Sequence, residues 1–222
     1  VEVEPEAELL RELEPFVEIL ENALPALLIE LGDAIVFDLV LAVDVELVLD
    51  LDLDREPVRV PARLVLAAAE RLGVAWAPHQ KPLDEQQVLK IADGFNQAGK
   101  LLKEHGIQFF YHNHGFEFVP HQDGTLFDLL VQKTDPDLVK FEMDVLWTIH
   151  PGQDPVALLR KYPNRWALMH LKDLRKGVKG DLSGGTPLDT DVARGSGQAD
   201  YPAIVKAAQE IGVKHYFIED ES

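Results

Sequence analysis

Four short segments of the chain finish in side chains that bind metals or move protons. Tyr111-His112-Asn113-His114 is followed by Glu117, Phe141-Glu142-Met143-Asp144 by Trp147, Met169-His170-Leu171-Lys172 by Asp173, and Tyr216-Phe217-Ile218-Glu219 by Asp220 and Glu221. Each apolar run suits a β-strand, and each polar group falls at its carboxyl end. Side chains two apart in a strand share a face. That rule groups Phe110, His112 and His114, then Lys140, Glu142 and Asp144, then Leu168, His170 and Lys172, and then His215, Phe217 and Glu219. If the four faces converge, His112, Asp144, His170 and Glu219 meet at one place. Two imidazoles and two carboxylates without sulfur suit Mn²⁺, Mg²⁺, Co²⁺ or Zn²⁺, with positions left open for a substrate. Without a cation, such a cluster would hold buried charge with poor compensation.

Each residue also has a plainer reading. A lone inward His at a strand end is more often a hydrogen-bonded structural residue than a ligand. Glu142 reads first as a support or salt-bridge partner. Trp147 and Trp166 read as core, although Trp147 follows Asp144 closely enough to line a pocket. Lys172 either orients a substrate oxyanion or pairs with Asp173. His79, His105, His121 and His215 read as solvent or packing histidines. What favours the joint site is that several independent strand ends present compatible ligands.

The elements that must position these groups follow a repeated grammar of helix, Gly, β-rich run and polar residues. Gly73, Gly106 and Gly212 each precede such a run, as a left-handed residue ending a helix would. Strands are expected near 74–78, 107–114, 138–144, 166–172 and 213–219. Helix starts are marked by a capping box at Thr125-Leu126-Phe127-Asp128, by Asp154 before Pro155, and by Asp200 before Tyr201-Pro202. Upstream, residues 6–31 suit one or two helices divided near Pro15 and Pro25, and 34–53 alternates as a strand does. A helix from about Pro61 to Leu72 is expected to stop at Gly73. Strands alternating with helices imply parallel βαβ units, and the expected fold is an α/β TIM (β/α) barrel forming one domain over 1–222. The polar segment from Leu174 to Ala199 is expected to cover the strand-end site, its alternative being a plain surface loop.

The chain has 222 residues and a formal charge of −18, with no cysteine. Disulfides, zinc–thiolate sites and cysteine nucleophiles are therefore excluded. The acidic balance repels nucleic acid and anionic lipid, and no apolar run approaches the ~20 residues that span a bilayer. A soluble, cytoplasmic protein is expected, with neither nucleic acid nor membrane as partner. The charge is uneven: residues 1–78 carry 18 acidic and 5 basic side chains, net −13, and residues 79–222 carry 21 and 16, net −5. The first portion contains no Lys, His, Ser, Thr, Gln, Tyr or Met. It reads as engineered, generated or uncertainly assigned sequence, an irregular or incomplete start to the barrel in which no chemistry is expected. The portion 79–222 carries the site.

The four motifs, together with Gly152-Gln153-Asp154-Pro155, resemble the sugar phosphate isomerase/epimerase family of xylose isomerase-like TIM barrels. The resemblance covers roughly residues 70–222 and is specific in order and spacing. It implies a divalent-metal site with Asp144, His170 and Glu219 as ligands. Many relatives place a Glu where this chain has His112; a subgroup with the same Tyr-His-Asn-His pattern has His there, so His112 is the fourth candidate. His114, Glu117, Glu142 and Trp147 are candidates for the surrounding layer. The implied activity is isomerisation or epimerisation of a sugar, sugar phosphate or keto-sugar through an enediolate, with a cation as Lewis acid and two carboxylates exchanging a proton. Glu219 supplies one of these, and the second is not obvious; His112 would substitute if it is not a ligand, and Lys172 would steady the oxyanion. The alternatives are an enolate-forming dehydratase or lyase on the same scaffold, or an engineered or chimeric barrel without activity. An endonuclease IV-like role shares the fold, but the charge and the small ligand set argue against it. Family members often associate as dimers, so a homodimer is a further expectation.

Overall fold

The computed structural model describes residues 39–42, 71–77, 79–104 and 106–218. Its frame is a six-stranded sheet in which β1 (Leu39–Ala42) runs antiparallel to β2 (Arg71–Val74). From β2 the wall continues in parallel through β3 (Gln108–His112), β6 (Val139–Asp144), β7 (Trp166–Leu171) and β10 (His215–Ile218). Two short hairpins lie outside it: β4 (Pro120–His121) with β5 (Gly124–Thr125), and β8 (Asp173–Leu174) with β9 (Asp191–Val192). The helices are α1 (Glu85–Glu104), α2 (Leu126–Lys133), α3 (Val145–Ile149), α4 (Pro155–Lys161) and α5 (Tyr201–Glu210). This is the parallel α/β wall expected of a (β/α) barrel. Of the upstream expectations, β1 falls within the alternating run 34–53; the helices over 6–31 and the helix start near Pro61 lie outside the described residues. Among the described residues no helix is long and apolar enough to cross a membrane.

Period-two patterning sorts the wall into two faces. Phe109 and Tyr111 of β3, Phe141 and Met143 of β6, and Met169 of β7 join Phe95 of α1 and Phe127 of α2 in one buried core. Phe110 and Leu168 form a separate buried cluster, as inward-facing side chains should. Three helix starts behave as their sequences predict. Thr125 and Asp128 close a capping box, and Asp154 and Asp200 accept backbone N–H bonds ahead of Pro-containing first turns.

The expected role of Gly73 is corrected. It does not end a helix: Leu72 and Gly73 belong to β2, which starts three residues earlier than the predicted strand. Gly73 pairs with Phe110, and a Cβ there would lie 2.2 Å from the Phe110 ring. A residue without a side chain is needed because the neighbouring ring fills the barrel interior. Gly106 and Gly212, at φ +76° and +88°, do occupy the left-handed position after helices. The amides that follow them bond back to Leu102 and Ala208 at 3.0 Å.

A register shift also matters. Phe141 pairs with Trp166, but Glu142 pairs with Leu168, so Ala167 is an extra residue in β7. Simple alternation groups Trp166 with Leu168 and His170; the bulge instead puts Trp166 with the helix-side core and sets His170 opposite Asp144.

Candidate metal centre

The register builds two rows across the wall, His112–Glu142–Leu168 and Asp144–His170–Phe217. The first row joins His112 Nδ1 to Glu142 Oε2 at 2.9 Å, both side chains buried. In the second, His170 Nδ1 lies 3.1 Å from Asp144 Oδ2, and His112 Nε2 reaches the same oxygen at 3.7 Å. One ligand atom from each of His112, Asp144 and His170 falls within 4.8 Å of the others.

Asp144 is the pivot of this group and is fully buried. Its Oδ1 accepts the Trp147 N–H at 2.8 Å and so caps α3, while its own backbone N–H donates to Asn113 Oδ1 at 3.1 Å. Oδ2 accepts no hydrogen bond of good geometry, and the two imidazoles are its near neighbours, at 3.1 and 3.7 Å. Burial pushes this carboxyl up, but the His170 contact, the His112 and His170 charges and the Trp147 amide outweigh it. The acid therefore sits below the usual carboxylate range and is ionised at neutral pH.

The donor set fits a divalent cation. An ionised, under-satisfied oxygen lies between two imidazoles, and one imidazole has its second nitrogen fixed by a carboxylate, as metal-bound histidines usually do. Glu142 thus touches His112 and supports it, the plainer of its two expected roles.

Glu117 is not among the residues whose donor atoms converge. Its carboxylate takes the Tyr111 hydroxyl and, at 3.0 and 3.1 Å, the His114 backbone N–H. Burial raises its pKa to about 7 against these bonds. His114 packs 5.1 Å from the His112 ring, centroid to centroid. Burial first, and then the His112 charge, lower its pKa to about 3, so its imidazole is neutral. Trp147 is half-buried and stacks on His114, while Trp166 belongs to the core. His79 packs against Trp76 and Phe116, His121 lies 3.8 Å from Glu85, and His215 is half-buried on β10. Glu219, Asp220, Glu221 and His105 lie outside the described residues.

Lys172 is buried just past His170. The Asp173 carboxylate is engaged by three backbone N–H groups, of Gly195, Gly197 and Ala199, at 2.9–3.0 Å. This cradle ties down the long segment after β8. The same segment meets Phe116 through Gly184, and Lys81 Nζ donates to Ser183 O at 3.4 Å. His150 Nδ1 lies 3.2 Å from Asp181 O. Phe116 follows β3, His150 follows β6 and Lys81 follows β2, so the segment covers the carboxyl ends of the strands as expected.

Sequence reasoning missed the Asn113–Asp144 bond, the Tyr111–Glu117 pair and the Asp173 cradle. The only advance signal was the density of short polar residues around the motifs.

A model of the xylose isomerase-like TIM barrel family matches residues 57–221. An inosose dehydratase of Clostridium tetani is 39% identical over 100 residues, 45% of this chain and 33% of that protein. The crystal structure of a sugar phosphate isomerase/epimerase from Parabacteroides distasonis is 33% identical with a TM-score of 0.55, covering 69% of this chain and 50% of that one. The IOLI protein, solved with a bound zinc atom, shares the fold at 18% identity and a TM-score of 0.50, over 64% of this chain and 50% of that one. This chain spans half or less of the length of each. The resemblance drawn from the four strand-end motifs is thereby borne out, and the chain belongs to the xylose isomerase-like TIM barrel family.

Proposed function

We propose that the chain forms the metal-binding wall of a divalent-metal-dependent enzyme that eliminates water from a polyhydroxylated ketone. The observation that carries this reading is the buried Asp144 Oδ2 beside His170 and His112, with His112 oriented by Glu142. His112, Asp144 and His170 would hold the cation. Glu219, two residues past Phe217, which pairs with His170, is the proposed fourth ligand. When bound, the cation supplies Lewis-acid stabilisation of negative charge growing on the substrate carbonyl oxygen.

The residues of the chain do the rest. His112 has one nitrogen on Glu142 and turns the other towards Asp144, which suits a ligand better than a proton carrier. Lys172 is proposed to steady the substrate oxyanion. In an elimination a proton leaves the carbon beside the carbonyl, and the hydroxyl on the next carbon departs as water. Dehydration is favoured over isomerisation by the 39% identical relative named inosose dehydratase. Sugar isomerisation or epimerisation is the second reading, favoured by likeness to the Parabacteroides protein.

The test is incubation of the metal-loaded chain with a pentahydroxycyclohexanone in D₂O. Growth of ultraviolet absorbance from a conjugated ketone, lost on chelation, is the expected result. Deuterium uptake without loss of water would favour the second reading, and neither signal would contradict both.

A further inference from the structure

We propose that Asn113 and Thr148 are positioning residues of the metal centre: together they clamp the main chain of Asp144 on both sides of its Cα and so hold Oδ2 where a cation needs it. This rests on the reading of His112, Asp144 and His170 as ligands, and it adds two residues that act through Asp144 and not on the cation.

The last residue pair of β3 and β6 is His112 with Glu142. The ladder goes one bond further, from the Asn113 N–H to Glu142 O at 3.3 Å. In a continued parallel ladder the Asp144 N–H would next donate to the main-chain carbonyl of Asn113. It donates instead to the side-chain oxygen of Asn113, at 3.1 Å. A backbone N–H can only donate, so this bond fixes which end of the Asn113 amide is oxygen and sends its NH₂ group the other way. There Nδ2 reaches Thr148 Oγ1 at 3.4 Å and His114 O at 3.5 Å. Thr148 donates its one hydroxyl proton to Asp144 O at 2.7 Å. Asn113, Asp144 and Thr148 thus close a ring of hydrogen bonds in which all three side chains are buried.

Each half of this ring has a plainer reading, since a helical Thr often bonds the carbonyl four residues back and buried amides are ordinarily satisfied. What those readings leave out is that both halves meet on one residue. A main-chain carbonyl in the place of Asn113 Oδ1 would accept from Asp144 but would have nothing to offer Thr148. The side-chain amide does both, and it ties the end of β3 to the first turn of α3 across Asp144. Asp144 is then held at its N–H, at its C=O and, through the Trp147 N–H at 2.8 Å, at Oδ1. Oδ2 is the atom without a good hydrogen bond, and it is the one that lies beside His170 and His112. Ligand atoms held in place by surrounding hydrogen bonds bind a metal more tightly than the same atoms left to find their own geometry.

The experiment is titration of Zn²⁺ into the metal-free full chain against a chromophoric chelator, with thermal unfolding of the same metal-free samples, for wild type, Thr148→Val, Thr148→Ser and Asn113→Leu. Thr148→Val keeps the shape and removes the hydroxyl; Thr148→Ser keeps the hydroxyl and removes a methyl group. Zn²⁺ affinity should fall roughly 10–100-fold in Thr148→Val and in Asn113→Leu, and stay near wild type in Thr148→Ser. The double variant Asn113→Leu/Thr148→Val should lose little more than either single one, because both act through the same carboxylate. A merely structural role would make affinity follow melting temperature across the set; here it should follow the hydroxyl. Wild-type affinity in folded Thr148→Val, or equal losses in Thr148→Val and Thr148→Ser, would overturn the proposal. If Asn113→Leu does not fold, the two Thr148 variants decide alone. A wild-type chain that binds no Zn²⁺ would contradict the metal reading itself, and this inference with it.

Discussion

Asp144 and His170 face each other across β6 and β7 with Oδ2 and Nδ1 3.1 Å apart, while the other oxygen of Asp144 is locked at 2.8 Å onto the Trp147 amide. The helix cap fixes the carboxylate plane and so sets where the second oxygen points, towards His170 and His112. The β7 bulge at Ala167 is what brings His170 into register with it.

Asp144→Asn keeps an oxygen for the cap but removes the charge and places an amide where Oδ2 lies. Zn²⁺ affinity should fall by more than the roughly 10–100-fold typical of an outer partner. The metal-free protein should stay folded, because the cap survives. Calorimetric titration with thermal unfolding on the same samples checks both statements.

Glu142→Gln tests orientation instead of ligation. Its Oε2 lies 2.9 Å from His112 Nδ1 and fixes which nitrogen faces Asp144. The amide should lower Zn²⁺ affinity roughly 10–100-fold without abolishing it. Unchanged affinity would show that the His112 tautomer is set by something else.

Glu117 gives a pH signature independent of metal. Burial raises its carboxyl from 4.5 to about 7. Between those values the folded chain holds a proton that the unfolded chain releases. Its contribution to stability is therefore full below the lower value and lost as pH rises to the upper one. In metal-free protein, urea unfolding at about pH 5 and about pH 8 should show wild type losing more stability than Glu117→Gln. Equal slopes would mean that Glu117 is ionised throughout.

Gly73→Val should destabilise the chain by about 1–3 kcal/mol through overpacking. The new side chain would collide with the Phe110 ring, which lies 2.2 Å from a Cβ at this position. Denaturant unfolding is the check, and Phe110→Ala in the same chain should relieve part of the loss.

The ends of the strands were legible because two periodicities agree there: apolar alternation places the strand, and a polar residue two positions on must share its face. That argument located His112, Asp144 and His170 together. It failed at Gly73, where a glycine reads equally as a helix terminator or as a small residue beneath a ring. Only the partner Phe110, thirty-seven residues away, decides which. The bulge at Ala167 was not legible either, since an inserted residue leaves no mark in the alternation, although Trp166 lies in the core as expected. The Glu117–Tyr111 pair and the Asp173 cradle were hidden because they depend on where loops return, which local pattern does not encode.

The central claim is that His112, Asp144 and His170 hold one divalent cation, and zinc-edge X-ray absorption on dialysed full chain tests it most directly. The account predicts one Zn²⁺ per chain, with imidazole scattering and Zn–N distances of about 2.0–2.1 Å, and loss of that signal in His170→Ala. Zinc that dialyses away from wild type, or an identical spectrum from His170→Ala, would contradict it.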